Sequence, residues 1–482
     1  MLIKKIVSFF KSNYLVGASF IYIVCSFILK GISFLTTPIF TRVMDTTDFG
    51  IVGAVSTWVT FVAIFICCQV SGSVASARVH KSLEDFNTFV GSITVFGIIS
   101  AAILGTIMIL LRNLIGPLMG IQPKLVIHVV IQAYEVALVS LYTSYLIQLK
   151  RPKCYLVFAV ITTLAIVLLG LLFVLTAKDE RYIWRIWATT IVDCVVALFI
   201  IVKFLPKAKL NKQRLISDWR FALSLGLPLI FHLISTTILG QSDRLFILHM
   251  IGESDAGIYT VAYSIGLIGM IFANACNDAW SPWYLENTKA KNDDTIKKMA
   301  RLYIAFIALC FVEVYMIAPE IMEIMAPEPY WKAKPTVLFI IFAVFLQFLY
   351  RFPQAYETYC MNLKWTAIAT MTAAILNCVL NYFLIQLWGI NGAALATAIS
   401  YMVLFFIHEI VARKIIGGYN IPIKTYIIPT LVCMGAGVLS FAFINVFWIR
   451  ITILLVIAVV VAFVMIKLFR GGILGRFLKH ST

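Results

Sequence analysis

The sequence predicts an all-α membrane protein with about fourteen transmembrane helices, and three observations carry that reading. Hydrophobic residues make up 62% of the chain and charged residues only 13%, against about 25% charge in a soluble domain. The apolar runs are long and continuous rather than alternating, which favours helices over a β-barrel. The basic residues also fall between those runs in a regular pattern, so loop topology explains the net charge of +17 better than nucleic-acid binding does.

A spanning helix needs about 20 apolar residues, and the candidates follow one another along the whole chain. The first, 14–41, follows the basic amphipathic stretch MLIKKIVSFFKSNY. It is too long for a signal-peptide core and is read as continuing from an uncleaved lead-in. Arg42 separates it from 48–70, and Arg78 and Lys81 separate that run from 88–111. Arg112 and Lys124 precede 124–149, and Lys150, Arg151 and Lys153 mark the turn into 153–176. Lys178 and Arg181 precede 183–203, and the cation-rich segment 205–218 leads to 219–248. Next come 255–281 and, after the polar loop 282–298, 299–320. The loop 321–334 precedes 335–360, and Lys364 opens 364–386, followed by 390–412. Arg413, Lys414 and Lys424 precede 424–445, and Arg450 lies at the start of 449–469.

With the N-terminus placed in the cytoplasm, inside segments hold 27 Lys and Arg and outside segments hold 8. That asymmetry predicts cytoplasmic N- and C-termini. No loop can hold a separate soluble core, and no GxxxxGK[ST] segment is present, which argues against ATP hydrolysis. The ten cysteines contain no CxxC pair, so metal and redox chemistry are not expected and they read as small apolar residues.

Two stretches repeat at an offset of 207: MDTTDFGIVGAVS at 44–56 and IGESDAGIYTVAY at 251–263. Asp48, Gly50 and Ile51 match Asp255, Gly257 and Ile258. An even number of helices separates them, which predicts parallel repeats with a cavity between. The expected divisions are an N-terminal lobe at 1–205, a C-terminal lobe at 206–416, and two extra helices with a tail at 417–482.

Ionisable residues inside spans usually face a cavity or one another. Lys30, Arg185, Arg244 and Arg351 are the four cations so placed, beside Glu135, Asp193, Asp243, Asp278, Glu313, Glu357 and Glu409. Lys30, Glu135 and Asp193 lie near helix middles, whereas Arg185, Asp278, Glu357 and Glu409 lie near ends where snorkelling suffices. Polar residues recur at steps of 3, 4 or 7, along one stripe, in four helices: Ser26, Lys30, Ser33, Thr37 and Thr41; His128, Gln132, Glu135, Tyr142 and Tyr145; Thr237, Gln241 and Arg244; Gln347, Arg351, Gln354 and Thr358. Such stripes predict wet inward faces, the competing account being hydrogen bonds between packed helices. Cations in that setting suit an anionic substrate, since Arg grips a diphosphate in a bidentate fork. Lys30, Arg244, Arg351 and Arg185 are therefore the candidate substrate cations. Glu135 and Asp193 are candidates for coupling to H+ or Na+. Tyr142, Tyr145 and Tyr263 could stack on sugars, and Pro38 and Pro228 are expected to interrupt the first and seventh helices.

Four segments carry a family resemblance: TTPIFTRVMDTTDFGIVGAVS (36–56), GLPLIFHLISTTILGQSDRLFILHMIGESDAGIYTVAYSIG (226–266), AWSPWY (279–284) and LNCVLNYFLIQLWGINGAALATAISY (376–401). Together they resemble the polysaccharide flippases of the multidrug/oligosaccharidyl-lipid/polysaccharide (MOP) superfamily. The resemblance implies two six-helix lobes around a central cavity, plus two C-terminal helices. It implies transfer of undecaprenyl-diphosphate-linked oligosaccharide repeat units to the outer leaflet of a bacterial inner membrane, for O-antigen of lipopolysaccharide, capsule or exopolysaccharide. It places Asp243 and Arg244 in a Ser-Asp-Arg motif, Arg42 in a Thr-Arg motif, and Arg78 at a cytoplasmic gate. Implied partners are the lipid-linked oligosaccharide, membrane lipids and a polysaccharide polymerase, with no cofactor, no nucleic acid and a monomeric chain. Transport makes and breaks no bond, so the chain is not expected to be an enzyme. The alternatives are a drug or cation antiporter or a peptidoglycan lipid flippase of the same superfamily and, from another class, a membrane polysaccharide polymerase or ligase.

Overall fold

The computed structural model describes the backbone of residues 14–209 and 211–470, and most side chains between 21 and 459. The lead-in before Tyr14, the tail cations Arg476 and Lys479, and the side chain of Asp278 lie outside the described residues. Every described element is helical.

The chain runs α1 (Tyr14–Val43), α2 (Thr46–Ile66), α3 (Leu83–Leu110), α4 (Val126–Gln148), α5 (Pro152–Thr176), α6 (Arg181–Phe204) and α7 (Lys212–Met250). Then come α8 (Glu253–Gly266 and Ile268–Lys289), α9 (Asp293–Met325) and α10 (Lys334–Leu349 and Arg351–Tyr359). The next helix, Leu363–Ile410, bends out of helical geometry at Trp388 and Gly389. Gly389 takes φ 56°, ψ −136°, a conformation that side chains resist, so this stretch is two elements, α11 (363–387) and α12 (390–410). Finally come α13 (Lys424–Ala442) and α14 (Phe447–Arg470). Among the described residues twelve helices are long and apolar enough to cross a membrane, one of them the doubled α11–α12 stretch, and α14 contributes a shorter apolar segment. The chain is a multi-pass membrane protein with about fourteen spans.

Local chemistry sets the helix ends. Asp45 caps α2 by accepting from the Asp48 N–H at 2.7 Å, and Ser82 caps α3 by accepting from the Asp85 N–H at 3.2 Å, each satisfying an orphan first-turn donor. At the far end of α2, Cys68 and Gln69 adopt left-handed φ values of 49° and 54°, and the Gln69 amide donates to the carbonyls of Ala63 and Ile64. A short helix, Val74–His80, fills the connection to α3. The α5–α6 boundary falls at Glu180, with φ 47°.

Several sequence expectations are corrected here. Helix α1 runs through Pro38 and α7 through Pro228 without a break. In α1 the hydroxyls of Thr36 and Thr37 bond the carbonyls of Ile32 and Ser33 at 2.9 and 2.8 Å. The interruptions fall instead at Leu267, Tyr350 and Trp388–Gly389. The loops expected over 282–298 and 321–334 are largely helical, since α8 passes Pro282 to reach Lys289 and α9 extends to Met325.

Helix α2 packs lengthwise on α8, and α7 packs on α11 and α12 as well as on α2 and α3. At one end the N-termini of α2 and α8 meet through Thr46 and Ser254, hydroxyl to hydroxyl at 2.7 Å. Thr41 there donates to the Met325 carbonyl at 2.7 Å. At the opposite end Lys81 pairs with Asp218 at 3.1 Å and Arg214 with Asp85 at 2.6 Å, tying α7 to α3. Arg450 at the start of α14 pairs with Glu320 on α9 and fixes the last helix to the bundle.

Candidate functional site

Arg351 is the first residue after the break in α10. That break lies just before Pro353, which suits a first helical turn but not an interior. The guanidinium donates to the Asn274 side-chain oxygen on α8 at 2.7 Å, and its other terminal nitrogen lies 4.0 Å from the Met270 sulfur. Together with Asn277, Ser281, Tyr350, Gln354 and Thr358 it lines a cavity of about 400 Å³ between α8 and α10. Arg351, Gln354 and Thr358 are three members of the α10 stripe.

Arg244 also faces α8. Its guanidinium lies 4.5 Å from the Tyr263 ring centroid and donates to the Gln241 side chain one turn back, while its buried Nε has no partner among the described residues. Among the described residues neither Arg244 nor Arg351 forms an ion pair; each is held by a neutral amide.

Asp243 turns the other way and is 1% exposed. It accepts from Tyr259 at 2.7 Å, Thr397 at 2.6 Å and Asn381 at 2.9 Å. Asn377 extends the network, accepting from Ser242 at 3.0 Å and donating to Thr397 at 3.3 Å. Four helices, α7, α8, α11 and α12, thus meet on one satisfied carboxylate, as burial of a charge requires.

The remaining candidates sit elsewhere. Arg185 lies over the Phe40 ring at 4.4 Å and donates to the Ile166 carbonyl at 3.2 Å and to Thr189 at 3.3 Å, between α1, α5 and α6. Gly170 makes room for it, since an added Cβ would lie 2.4 Å from its guanidinium. Lys30 is exposed on α1. Arg42 is exposed and donates to the carbonyls of Pro38 and Ile324, at 2.8 and 2.9 Å. Arg78 is half-buried, 5.8 Å from the Phe86 ring centroid. Glu135 on α4 and Asp193 on α6 are both buried. The structure therefore brings Arg244 and Arg351 to one helix, α8, and leaves Arg185 in a separate cluster.

The α4 stripe is not the wet face its spacing suggested. His128 and Gln132 bond Thr190 on α6, each at 2.9 Å. Tyr142 accepts from Lys203 at 2.8 Å, and Tyr145 donates to Asn87 at 2.9 Å. The stripe ties helices together, and Tyr142, Tyr145 and Tyr263 are too buried to stack on sugars. Glu357 and Glu409 do not snorkel either: they are 0% and 4% exposed. Residues the sequence reading missed include Asn274, Asn277 and Ser281, although steps of 3 and 4 along α8 mark them as one face.

Residues 16–288 match the polysaccharide biosynthesis protein family. Among curated relatives, the chain is 25% identical over 283 residues to Lsg locus putative protein 1 of Haemophilus influenzae, covering 57% of this chain and 66% of that protein. It is 24% identical over 317 residues to an uncharacterized membrane protein of the same organism, covering 65% of this chain and 74% of that one. Among solved structures, the lipid II flippase MurJ in an inward closed conformation superposes with a TM-score of 0.64 at 14% identity, over 92% of this chain and 98% of that one. An inward-facing multidrug resistance MATE transporter of the MOP superfamily gives 0.61 at 15% identity, over 80% and 94%. The fold is shared with both of these structures, and the chain belongs to the polysaccharide biosynthesis protein family.

Proposed function

We propose that this protein flips an undecaprenyl-diphosphate-linked oligosaccharide from the cytoplasmic to the outer leaflet of a bacterial inner membrane, for surface polysaccharide assembly. The observation that carries the reading is the Arg351 cavity: about 400 Å³, lined by amides and hydroxyls, with a guanidinium that donates to Asn274 and, among the described residues, pairs with no carboxylate. A diphosphate supplies the charge and acceptor oxygens that such a guanidinium takes up in a fork. Arg244, on α7, faces the same helix α8 as a second cation. The family match to polysaccharide biosynthesis proteins and the fold shared with a lipid II flippase support this reading. The sugars would pass between lobes 1–205 and 206–416 while the prenyl chain stays in lipid, with 417–482 packed outside. Arg42, bonded to Ile324, would belong to the outer gate, Arg78 to the cytoplasmic gate, and Asp243 to the scaffold that orients Arg244.

A second reading, a drug or cation antiporter, is favoured by one observation: two acids, Glu135 and Asp193, are buried in the first lobe. Reconstitution of the full chain into liposomes separates the two. The flippase reading expects transbilayer movement of a fluorescent prenyl-diphosphate disaccharide and no efflux of a lipophilic cationic dye. Dye efflux without sugar-lipid movement would install the antiporter reading instead.

A further inference from the structure

We propose that a second cavity, between α2, α3, α4 and α7, is the subsite for one uncharged, methyl-bearing sugar of the headgroup, such as an N-acetylhexosamine; this rests on the flippase reading above. The cavity measures about 210 Å³, far more than a single water needs. Its walls come from α2 and the turn that follows it, from α3 and α4, and from α7. It is distinct from the Arg351 cavity, which lies between α8 and α10.

The lining changes character with depth. The floor is buried and aliphatic, with Ala63, Val70, Ile93 and Leu138 beside the Cys67 sulfur. The mouth carries hydroxyls: Thr60 and Ser140 are exposed, and Ser71 and Thr237 are half-buried. Ser140 donates to Ser71 at 3.1 Å. A hydroxyl has one hydrogen and two lone pairs, so this bond leaves the pair with sites for a ligand. Gln69 completes the wall, its amide donating to the carbonyls of Ala63 and Ile64, each at 3.3 Å. Helix α7 presses on that wall from outside, since a Cβ on Gly226 would lie 2.5 Å from the Cys68 carbonyl oxygen.

Composition selects the ligand. Among the described residues the lining holds no charged group and no aromatic ring. A carboxylate or ammonium entering it would lose hydration without gaining a partner, and no ring face is present to hold a flat cation. A sugar with an acetamido methyl suits both parts. Its methyl and C–H face bury against the aliphatic floor, while its hydroxyls exchange hydrogen bonds with those at the mouth. An apolar lining with a few placed polar groups is how small-molecule pockets fix orientation.

Position ties the cavity to the cations. Thr237 stands seven residues before Arg244 on α7, so the two share one face of the helix. Their separation along the axis is about 10 Å, within reach of a short glycan whose diphosphate lies at the arginines. Gly97 on α3 sets the depth of the floor. A Cβ there would lie 3.4 Å from the Cys67 sulfur and 3.9 Å from the Tyr134 ring, and a longer side chain would occupy the space.

The test measures binding to the full chain in nanodiscs of neutral lipid. The probes are farnesyl diphosphate and its diesters with N-acetylglucosamine, glucose and glucuronate. Wild type is expected to bind the N-acetylglucosamine diester about fourfold tighter than the glucose diester, or more, as burial of one methyl requires. The glucuronate diester is expected to bind at least about tenfold more weakly than the glucose diester. In Gly97→Leu the three diesters are expected to bind alike, with farnesyl diphosphate bound as in wild type. Equal binding of the three diesters by wild type overturns the proposal, and so does a preference that survives in Gly97→Leu. If Gly97→Leu binds no probe, protection of Ser140→Cys from maleimide in an otherwise cysteine-free chain decides. Slower labelling with the N-acetylglucosamine diester than with farnesyl diphosphate supports the site; equal labelling overturns it. If wild type binds none of the four probes, the flippase reading loses its anion site, and N-acetylglucosamine alone judges the sugar site. Slower labelling of Ser140→Cys in its presence supports the site, and an unchanged rate overturns it.

Discussion

Gly50 on α2 and Gly257 on α8 meet backbone to backbone, and they are the same position of the two repeats. A Cβ on Gly50 would sit 1.8 Å from the Glu253 carbonyl oxygen, and a Cβ on Gly257 would sit 2.1 Å from that of Thr46. Thr46 and Glu253 are themselves equivalent positions, 207 residues apart. The contact is thus reciprocal, as across a twofold axis, and one end of the bundle is closed by two bare backbones. Gly53 continues the seam, where a Cβ would lie 3.0 Å from the Thr260 hydroxyl.

The seam predicts a cross-link. In a background without native cysteines, the pair Thr46→Cys and Ser254→Cys should form a disulfide under mild oxidation, since the native hydroxyls are 2.7 Å apart. Oxidation should block transport and reductant should restore it. Adding Gly257→Val should cut the cross-linking yield several-fold. An unchanged yield on a gel would mean that the helices separate and rejoin regardless of the glycine.

At the opposite end, Lys81 is predicted to be needed by Asp218. Asp218 is 3% exposed and its second carboxylate oxygen has no partner. Lys81→Ala would leave this buried charge alone, at a cost of about 1–3 kcal/mol, lowering the thermal midpoint of the detergent-solubilised protein. Adding Asp218→Asn should recover most of the loss. Thermal unfolding of the single and double variants checks both statements.

Arg450 is predicted to be the anchor of α14. It is 1% exposed and donates to both Glu320 oxygens and to the carbonyls of Met316 and Phe443. Breaking such a pair typically costs about 3–5 kcal/mol, less here because Glu320 is 24% exposed. Arg450→Met should therefore lower the thermal midpoint, and the double variant with Glu320→Gln should lie closer to wild type.

Asn274→Asp offers a sharper probe of the cavity than removal of the arginine. It would put a carboxylate where the amide oxygen now accepts from Arg351 at 2.7 Å. The guanidinium would remain but its charge would be spent. Sugar-lipid transport should fall at least tenfold with membrane insertion intact, and Asn274→Gln should retain more activity. Rates in proteoliposomes, normalised to inserted protein, provide the check.

Much of the fold is legible in the sequence because lipid imposes it. Continuous apolar runs place the spans, and Gly389 falls in the gap expected between 386 and 390. The site is legible only in part. The stripe of Arg351, Gln354 and Thr358 does share one cavity. The equally regular stripe of His128, Gln132 and Tyr142 is spent on α6. Spacing reports which residues share a face, not what lies against it. Glu357 was misread for a related reason. Its distance along α10 suggested a helix end, but α11 and α12 fold over that end and place His408 against it. Such long-range placement has no local signal.

The most direct test of the central claim is the rate at which a fluorescent prenyl-diphosphate disaccharide crosses the bilayer of proteoliposomes holding wild type, Arg351→Ala or Arg244→Ala at equal insertion. An anion-binding cavity predicts clear transport by wild type and at least a tenfold loss in Arg351→Ala, with a smaller loss in Arg244→Ala. Wild-type rates in both variants would contradict it.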